Sequence, residues 1–342
     1  MAQKKKFKLY ITDYFRRNIK LDPKLLGKDI EVKLLQQPDE KKLFPEIEDA
    51  DALIVDKTLI TAYTLEKLTK CKIIARFGIG YDNVDIKSAG KNGIYVCNCP
   101  DFCHEEVADH AVGLMLSMTR NIVGYNNGLL KGDKSKWRPF GLASTKRLRD
   151  KTIGLIGLGR IGKEVAKRLQ GFRVKVLFYD PNVSAITGND YGAIKANSVE
   201  ELASKSDIVS FHLPLNPETK VMANDNFFSN LKKGAYLINT SRGGILDTKA
   251  LLRAMKKGIV EKAALDVLEE EPINFDEPLI KKWLADEKLQ SHLILTPHVA
   301  FYSPESTEEI QGKILKNIHL AFAGKQPINC VNLDHYRKNK DK

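Results

Sequence analysis

The stretch KTIGLIGLGRIGKEVAKRLQGFRVKVLFYD, residues 151–180, decides how the rest of the chain is read. Ile153, Gly154, Leu155 and Ile156 form a short apolar run of the kind that makes a buried strand. Gly157, Gly159 and Gly162 follow as G-x-G-x-x-G, residues 160–169 carry apolar side chains at helical spacing, and 174–179 is a second buried strand closed by Asp180. A dinucleotide gives each part a task. Gly157 lets the strand turn tightly, Gly159 lets the backbone approach a pyrophosphate, and Gly162 lets the helix pack close to the strand. The helix N-terminus offers free N–H groups and a positive dipole end to the phosphates. Asp180 stands where a carboxylate accepts both ribose hydroxyls of NAD. Glycine triplets alone are common, and many are plain turns. Strand, turn, helix, strand and acid in this order predict an NAD site.

Working outward, strand and helix signals alternate on both sides. Before the glycine motif, strands are expected at 7–11, 31–35, 52–55, 73–77 and 94–97, with helical stretches at 41–48, 64–70 and 84–91. A long helical pattern covers 104–130, and a polar, basic connection follows over 132–149. After the motif, strands are expected at 208–213, 235–239, 263–267 and 293–295, separated by helices at 199–203, 226–231 and 246–257. A last helix, 305–323, leads to a tail ending near Tyr336. This is the pattern of an α/β chain with two doubly wound parallel sheets. If the last helix returns to the first series, one domain is discontinuous, 1–103 with 303–342, and the other spans 104–302.

Composition narrows the function classes. No apolar run reaches the roughly 20 residues needed to span a bilayer. The N-terminus, MAQKKKFKLYITDY, has neither the apolar core of a secretory signal nor an Arg/Ser-rich transit character, so a cytoplasmic protein is expected, with no membrane partner. The formal net charge is +12. Much of it lies at the ends, on Lys4, Lys5, Lys6, Lys8, Arg16 and Arg17, then Arg337, Lys338, Lys340 and Lys342. Such lysines form a solvated face that also draws in anionic ligands. No nucleic-acid reader motif accompanies them, and no nucleic-acid partner is expected. Five cysteines in a long chain argue against a disulfide framework. Cys97, Cys99, Cys103 and His104 cluster in VCNCPDFCH, and Cys97 and Cys99 could share a strand face. The spacing is not that of a zinc ribbon or finger, and no second Cys/His pair completes it. The cluster is read as buried, reduced thiols, with no metal.

Ligands of doubly wound sheets bind outside the carboxyl ends of the strands. The polar residues there are therefore the candidates for chemistry. Strand 235–239 is followed by Thr240-Ser241-Arg242-Gly243-Gly244, strand 263–267 by Leu268 and Glu269-Glu270-Glu271-Pro272, and strand 293–295 by Thr296-Pro297-His298. An arginine fork suits a 2-keto acid, because it can bind the carboxylate and polarise the adjacent carbonyl. A histidine suits proton delivery near neutral pH, and a glutamate beside it would orient the ring and favour its protonated form. Read singly, each also has a plain structural explanation, as a surface charge or a satisfied core histidine.

Together the motifs RFGIGYDNVD (76–85), GLGRIG (157–162), NTSRGGILD (239–247), AALDVLEEEP (263–272) and TPHVAFYS (296–303) resemble the D-isomer-specific 2-hydroxyacid dehydrogenases over nearly the whole chain. The resemblance implies a flavodoxin-like substrate domain and a Rossmann NAD-binding domain. It implies Arg242 as the substrate-binding arginine, His298 as the acid/base and Glu271 as its partner. It implies cofactor contacts at Gly157, Gly159, Arg160, Ile161, Gly162, Asp180 and Pro214, with Thr240 and Asp266 near the nicotinamide. Arg76, Phe77, Gly78, Ile79, Gly80 and Phe301 are the implied substrate contacts. GYDNVDIKSAG, VCNCPDFCHEEVADH and NCVNLDHY resemble the branch that contains the C-terminal-binding proteins and their microbial enzyme relatives. Phe301 stands where those corepressors carry Trp, and resembles the D-lactate dehydrogenase group instead. Arg173 stands where relatives usually have Gly.

The expected function is NAD-dependent reduction of a small 2-keto acid (glyoxylate, hydroxypyruvate or pyruvate) by a homodimer. Two alternatives stand beside it. One is an NAD(H)-sensing, corepressor-like scaffold, which the lack of a long tail after the core argues against. The other is phosphoglycerate or phosphite oxidation on the same site, where the chain leaves no room for an added regulatory domain.

Overall fold

Four-residue runs that are wholly or almost wholly apolar form the centres of two sheets. ALIV at Ala52–Val55 and IVSF at Ile208–Phe211, the latter with one serine, are buried at every position. A strand buried on both faces reads as a continuous apolar run and belongs to a parallel sheet covered by helices on both sides. The computed structural model describes residues 6–13, 21–130, 132, 134–138 and 145–336. The terminal charges Lys4, Lys5, Arg16, Arg17, Arg337, Lys338, Lys340 and Lys342, and part of the 132–149 connection, lie outside the described residues. The chain divides into two compact units, Met1–Phe102 with Ser303–Lys342, and Cys103–Tyr302.

The first unit holds β1 (Phe7–Ile11), β2 (Ile30–Leu34), β3 (Ala52–Val55), β4 (Ile73–Arg76) and β5 (Tyr95–Cys97) in the order β2-β1-β3-β4-β5. All pairs are parallel. This is the flavodoxin order, with its switch point between β1 and β3. One face is covered by Leu43, Ile47, Leu65 and Ala89, all fully buried. The long helix Pro304–Phe322 returns to this unit and packs on β4 and β5. Its Ile310, Ile314, Leu315 and Ile318 are buried at i, i+4, i+5 and i+8. Each such side chain contributes about 1.5–3 kcal/mol on leaving water. At its end Phe322 stacks on Phe7 with centroids 4.0 Å apart.

The second unit holds β6 (Thr152–Ile156), β7 (Lys175–Tyr179), β8 (Ala193–Lys195), β9 (Ile208–Phe211), β10 (Ala235–Asn239), β11 (Val260–Leu265) and β12 (Leu293–Leu295). Their order is β12-β11-β10-β9-β6-β7-β8, again all parallel. The chain runs outward from β6 through β8, then returns to β9 on the other side, so the switch point lies between β6 and β9. Helices His104–Arg120 and Arg160–Leu169 cover one face with Ala108, Ala111, Met115, Val165, Ala166 and Leu169. Both sheets are thus doubly wound, as the sequence predicts.

The expected single helix over 104–130 is two helices, His104–Arg120 and Ile122–Leu130. The break is Asn121, left-handed at φ 54 and ψ 37. Asparagine adopts that conformation more readily than most residues and ends helices for that reason. A buried lysine fixes the end: Lys262 Nζ donates to the Met118 carbonyl at 2.8 Å and to Asn121 Oδ1 at 3.3 Å. Lys262 is 1% exposed, and burial lowers its pKa to about 8. The turn at Arg173 is also left-handed, φ 56. This explains why glycine suits the position, and Arg173 occupies it at a steric cost of about 1–2 kcal/mol. Strand β8 and helix Pro278–Ala285 lie outside the sequence reading. The first has only three residues, and the second carries its signal locally, in an N-capping Glu277 and a proline at the first turn.

Candidate functional site

The carboxyl ends of six neighbouring strands lie on one line of backbone register. Leu295 is paired with Leu265, Leu265 with Asn239, Asn239 with Phe211, Phe211 with Ile156, and Ile156 with Tyr179. The next residue on each strand is Thr296, Asp266, Thr240, His212, Gly157 and Asp180. The ladder continues through several of them: Thr296 N–H donates to the Leu265 carbonyl, Asp266 N–H to Asn239, His212 N–H to Ile156 and Gly157 N–H to Tyr179, at 2.8–3.0 Å. One edge of the sheet therefore presents, in order, a hydroxyl, an acid, a second hydroxyl, a histidine, the glycine turn and a second acid.

At the switch point Gly157 has φ +98, and a Cβ there would stand 2.3 Å from the His212 carbonyl oxygen. A Cβ at Gly162 would stand 2.3 Å from the Gly157 carbonyl oxygen. Gly159 differs, since a Cβ there meets nothing within 4 Å. The fold does not need a glycine at 159, but a phosphate lying against the backbone does. Helix Arg160–Leu169 starts at Gly159 with no side-chain cap and no acid in its first turn. Its positive end, including Arg160, Ile161 and Gly162, is thus left for an anion. Asp180 accepts from Leu158 N–H and Asn182 N–H, both at 2.9 Å, so its carboxylate is fixed on the turn. Thr240 Oγ1 is buried with no partner among the described residues. An open face at Gly159, an uncapped helix start, an anchored acid and an orphaned hydroxyl fit a dinucleotide. Pro214 lies on the exposed loop after β9, where Thr219 Oγ1 donates to its carbonyl at 2.7 Å.

Beyond β11 and β12 the chain wraps around one carboxylate. Asp266, 2% exposed, accepts from Thr296 Oγ1 at 2.5 Å, Val299 N–H at 3.0 Å and Ala300 N–H at 3.0 Å. Its carbonyl accepts from His298 N–H at 2.8 Å. These bonds hold His298 at φ 51, a strained backbone for a residue with a Cβ. His298 Nδ1 lies 2.6 Å from Glu271 Oε2, and Glu271 Oε1 accepts from Leu268 N–H at 3.2 Å. An ionised carboxylate only accepts, so Nδ1 carries a proton toward Glu271 and Nε2 is left for exchange. The Phe301 ring stands edge-on to the imidazole at 6.0 Å. The structure thus brings Glu271, His298, Asp266 and Phe301 together. Arg242, on the loop after β10, donates from Nη1 to the Ser241 carbonyl at 2.9 Å, and its own carbonyl accepts from Asn239 Nδ2 at 2.9 Å.

Sequence reasoning passes over two histidines here. His110 Nε2 lies 3.1 Å from Thr296 Oγ1 and 3.6 Å from Asp266 Oδ1. Nothing local marks it, because its partners stand 186 and 156 residues away in the chain. His212 has both ring nitrogens buried without a partner among the described residues, and burial lowers its pKa to about 4.

In the first unit, Phe77, Gly78, Ile79 and Gly80 follow β4 at the carboxyl edge of that sheet. Arg76 is turned inward: its Nη1 lies 3.3 Å from Asp56 Oδ1 and donates to the Phe77 carbonyl. A Cβ on Gly78 would fall 2.0 Å from that guanidinium. Arg76 therefore braces the loop. The cysteines form no metal cluster among the described residues. Cys97, Cys99 and Cys103 are buried, and Cys103 is the residue before helix His104–Arg120.

Residues 112–300 match the family model described as D-isomer specific 2-hydroxyacid dehydrogenase, NAD binding domain. The chain is 38% identical over 303 residues to a glyoxylate reductase of Thermofilum pendens, covering 86% of this chain and 85% of that one. It is 34% identical over 318 residues to a D-3-phosphoglycerate dehydrogenase of Methanocaldococcus jannaschii, covering 93% of this chain but 58% of that protein. Among solved structures, the D-lactate dehydrogenase of Aquifex aeolicus complexed with NAD and lactic acid is similar with a TM-score of 0.80 and 29% identity, over 96% of this chain and 97% of that one.

Proposed function

Because the chain belongs to the D-isomer-specific 2-hydroxyacid dehydrogenases, a family of NAD-dependent oxidoreductases, we propose that it reduces a small 2-keto acid, with glyoxylate the first candidate and hydroxypyruvate and pyruvate next. The observation that carries this reading is the His298–Glu271 pair, 2.6 Å apart and one turn beyond the strand row that holds the glycine motif. An oriented proton donor is what reduction of a keto group requires at the oxygen. Bound NADH supplies the hydride to the keto carbon. Gly157, Gly159, Gly162 and the start of helix Arg160–Leu169 hold the pyrophosphate, Asp180 the ribose hydroxyls, and Thr240 the nicotinamide side.

Arg242 binds the substrate carboxylate with its planar fork and polarises the adjacent carbonyl. His298 delivers the Nε2 proton to the oxygen as charge develops there. Glu271 stabilises the imidazolium and fixes the ring, while Asp266 holds the strained loop that aims it. Phe301 packs against the imidazole edge and lines the substrate. In the first unit Phe77 N–H and Gly78 N–H bond to the Val55 and Arg76 carbonyls, so the loop Phe77–Gly80 is anchored within its own unit.

Glyoxylate is preferred over a phosphorylated acid because the chain is 38% identical to the glyoxylate reductase and 34% identical to the phosphoglycerate dehydrogenase. The reading includes a cytoplasmic homodimer joined through the second unit. It is supported by the free cysteines and by apolar side chains left on the surface after helix His104–Arg120: Ile122 at 54%, Leu130 at 77% and Trp137 at 82% exposure. Purified protein should oxidise NADH with glyoxylate, hydroxypyruvate or pyruvate in a spectrophotometric panel. Oxidation with 3-phosphohydroxypyruvate alone, or with none of these acids, overturns the proposal.

A further inference from the structure

Two cysteines that the proposed chemistry does not use face each other at the open edge of the first sheet. Cys97 ends β5, and Cys330 lies opposite it in an antiparallel bridge with the segment that follows helix Pro304–Phe322. Val331 N–H donates to the Val96 carbonyl at 2.9 Å and Asn98 N–H to the Asn329 carbonyl at 3.4 Å. The Cys97–Cys330 pair therefore sits between these bonds, at a position with no hydrogen bond of its own. Antiparallel strands bring their Cα atoms closest at such positions, to about 4.5 Å, and side chains nearer still. That separation lies within the range a disulfide requires. The two Sγ atoms are 3.0 Å apart.

The segment is held in place independently of the sulfurs. Asn332, 1% exposed, accepts from Val96 N–H at 2.9 Å and donates to the Ile94 carbonyl at 2.9 Å. Tyr336 stacks on Tyr95 with centroids 3.9 Å apart. Closure thus needs only the sulfurs to move.

We propose that Cys97 and Cys330 are a reversible oxidation site that closes to a disulfide and ties the C-terminal segment to β5. The two sulfurs are not equivalent. Cys97 is 2% exposed, whereas Cys330 is half-buried and reachable from solvent. The hydrogen bond between them favours the thiolate at Cys330, whose pKa it lowers, and burial with the same bond raises Cys97. In its thiol form Cys330 donates to the Pro327 carbonyl at 3.5 Å. The oxidant is a peroxide. Cys330 thiolate attacks one peroxide oxygen, the O–O bond breaks, and a first water leaves, with the sulfur now a sulfenic acid. Cys97 sulfur then attacks Cys330 sulfur, the S–S bond forms as the S–O bond breaks, and the thiol proton leaves with a second water. Two thiols lose two electrons and two protons, and one hydrogen peroxide gains them to give two waters. A dithiol reductant reverses the closure by exchange.

The pairing is independent of the substrate assignment, and so is its test. Purified protein is treated with a small excess of hydrogen peroxide, then denatured for thiol titration and digested without reductant for mass spectrometry. Two of the five thiols should be lost, one cross-link should map to Cys97 with Cys330, and dithiothreitol should restore both. Because the closed ring joins residues 233 positions apart, the oxidised protein should melt several degrees higher than the reduced one. Cys330→Ser should abolish the cross-link and the rise in Tm while its untreated Tm stays close to that of the parent. Five thiols after treatment, sulfinic acid at Cys330, or a cross-link through Cys71, Cys99 or Cys103 would overturn the proposal.

Discussion

His298 and Glu271 stand 2.6 Å apart, so the carboxylate holds the ring in the orientation that proton delivery needs. Glu271→Gln keeps the shape and removes the charge, so kcat for keto-acid reduction should fall while NADH affinity stays that of the parent; an unchanged kcat in steady-state assays would falsify the pairing. Arg242→Ala should raise KM and lower kcat together, with NADH affinity by fluorescence titration unchanged. His298→Ala should cut kcat by roughly 10²- to 10⁴-fold. Asp180→Ser should narrow the preference for NADH over NADPH, measured as a ratio of kcat/KM values, because the carboxylate no longer repels a 2′-phosphate. His212 carries a pH effect on stability. Its folded pKa of about 4 lies below the ordinary value of about 6.5, so the unfolded chain takes up a proton first as pH falls. The stability is complete above pH 6.5 and is lost toward pH 4, by about 3 kcal/mol in all. His212→Leu should flatten the dependence of Tm on pH across that window, and an unchanged slope would reject the assignment. Thr240 could be singled out because it directly follows an apolar run, and strand ends are where doubly wound sheets place their ligands; Asp266 fell inside the strand expected over 263–267 and entered only through the resemblance, since the strand ends at Leu265. His110 could not be singled out, since its meaning comes from a contact made only after β12 has paired with β11.

Among the elements, the break at Asn121 shows where periodicity stops being informative. Apolar spacing runs on through 104–130, and the sequence alone reads one helix. What ends it is a left-handed asparagine together with a buried ammonium delivered by β11, 141 residues later. Asn121→Val should therefore destabilise the protein by about 1–2 kcal/mol from backbone strain alone, read as a lower midpoint in urea. An unaltered midpoint would show that the turn tolerates a branched residue. The same limit accounts for β8, whose three residues pair with β7 only because the sheet is already built. Long elements with unbroken apolar faces, such as Pro304–Phe322, were legible to within a residue or two. Short ones depend on neighbours that the local sequence does not contain.

For the whole molecule, the exposed Ile122, Leu130 and Trp137 make the proposed homodimer testable. Leu130→Glu should shift the mass seen by light scattering from dimer to monomer, and a dimer that persists would move the interface elsewhere. The two-unit plan was legible once the last helix was taken to return to the first series, since both series alternate strand and helix. The clasp between Phe7 and Phe322 was not, because stacking partners leave no trace in spacing. That clasp also sets an order in time. On the ribosome β1 to β5 emerge first, yet the helix that covers β4 and β5 and the segment that pairs with β5 emerge last. Cys103–Tyr302 is continuous and can close as soon as it is complete. The earlier-made sheet is thus the last to finish, and its apolar face waits on the order of tens of seconds for residues 304–336 to be made. Nascent chains stalled before residue 303 should carry a folded nucleotide unit beside an unfinished neighbour, and that neighbour is where chaperones should be found.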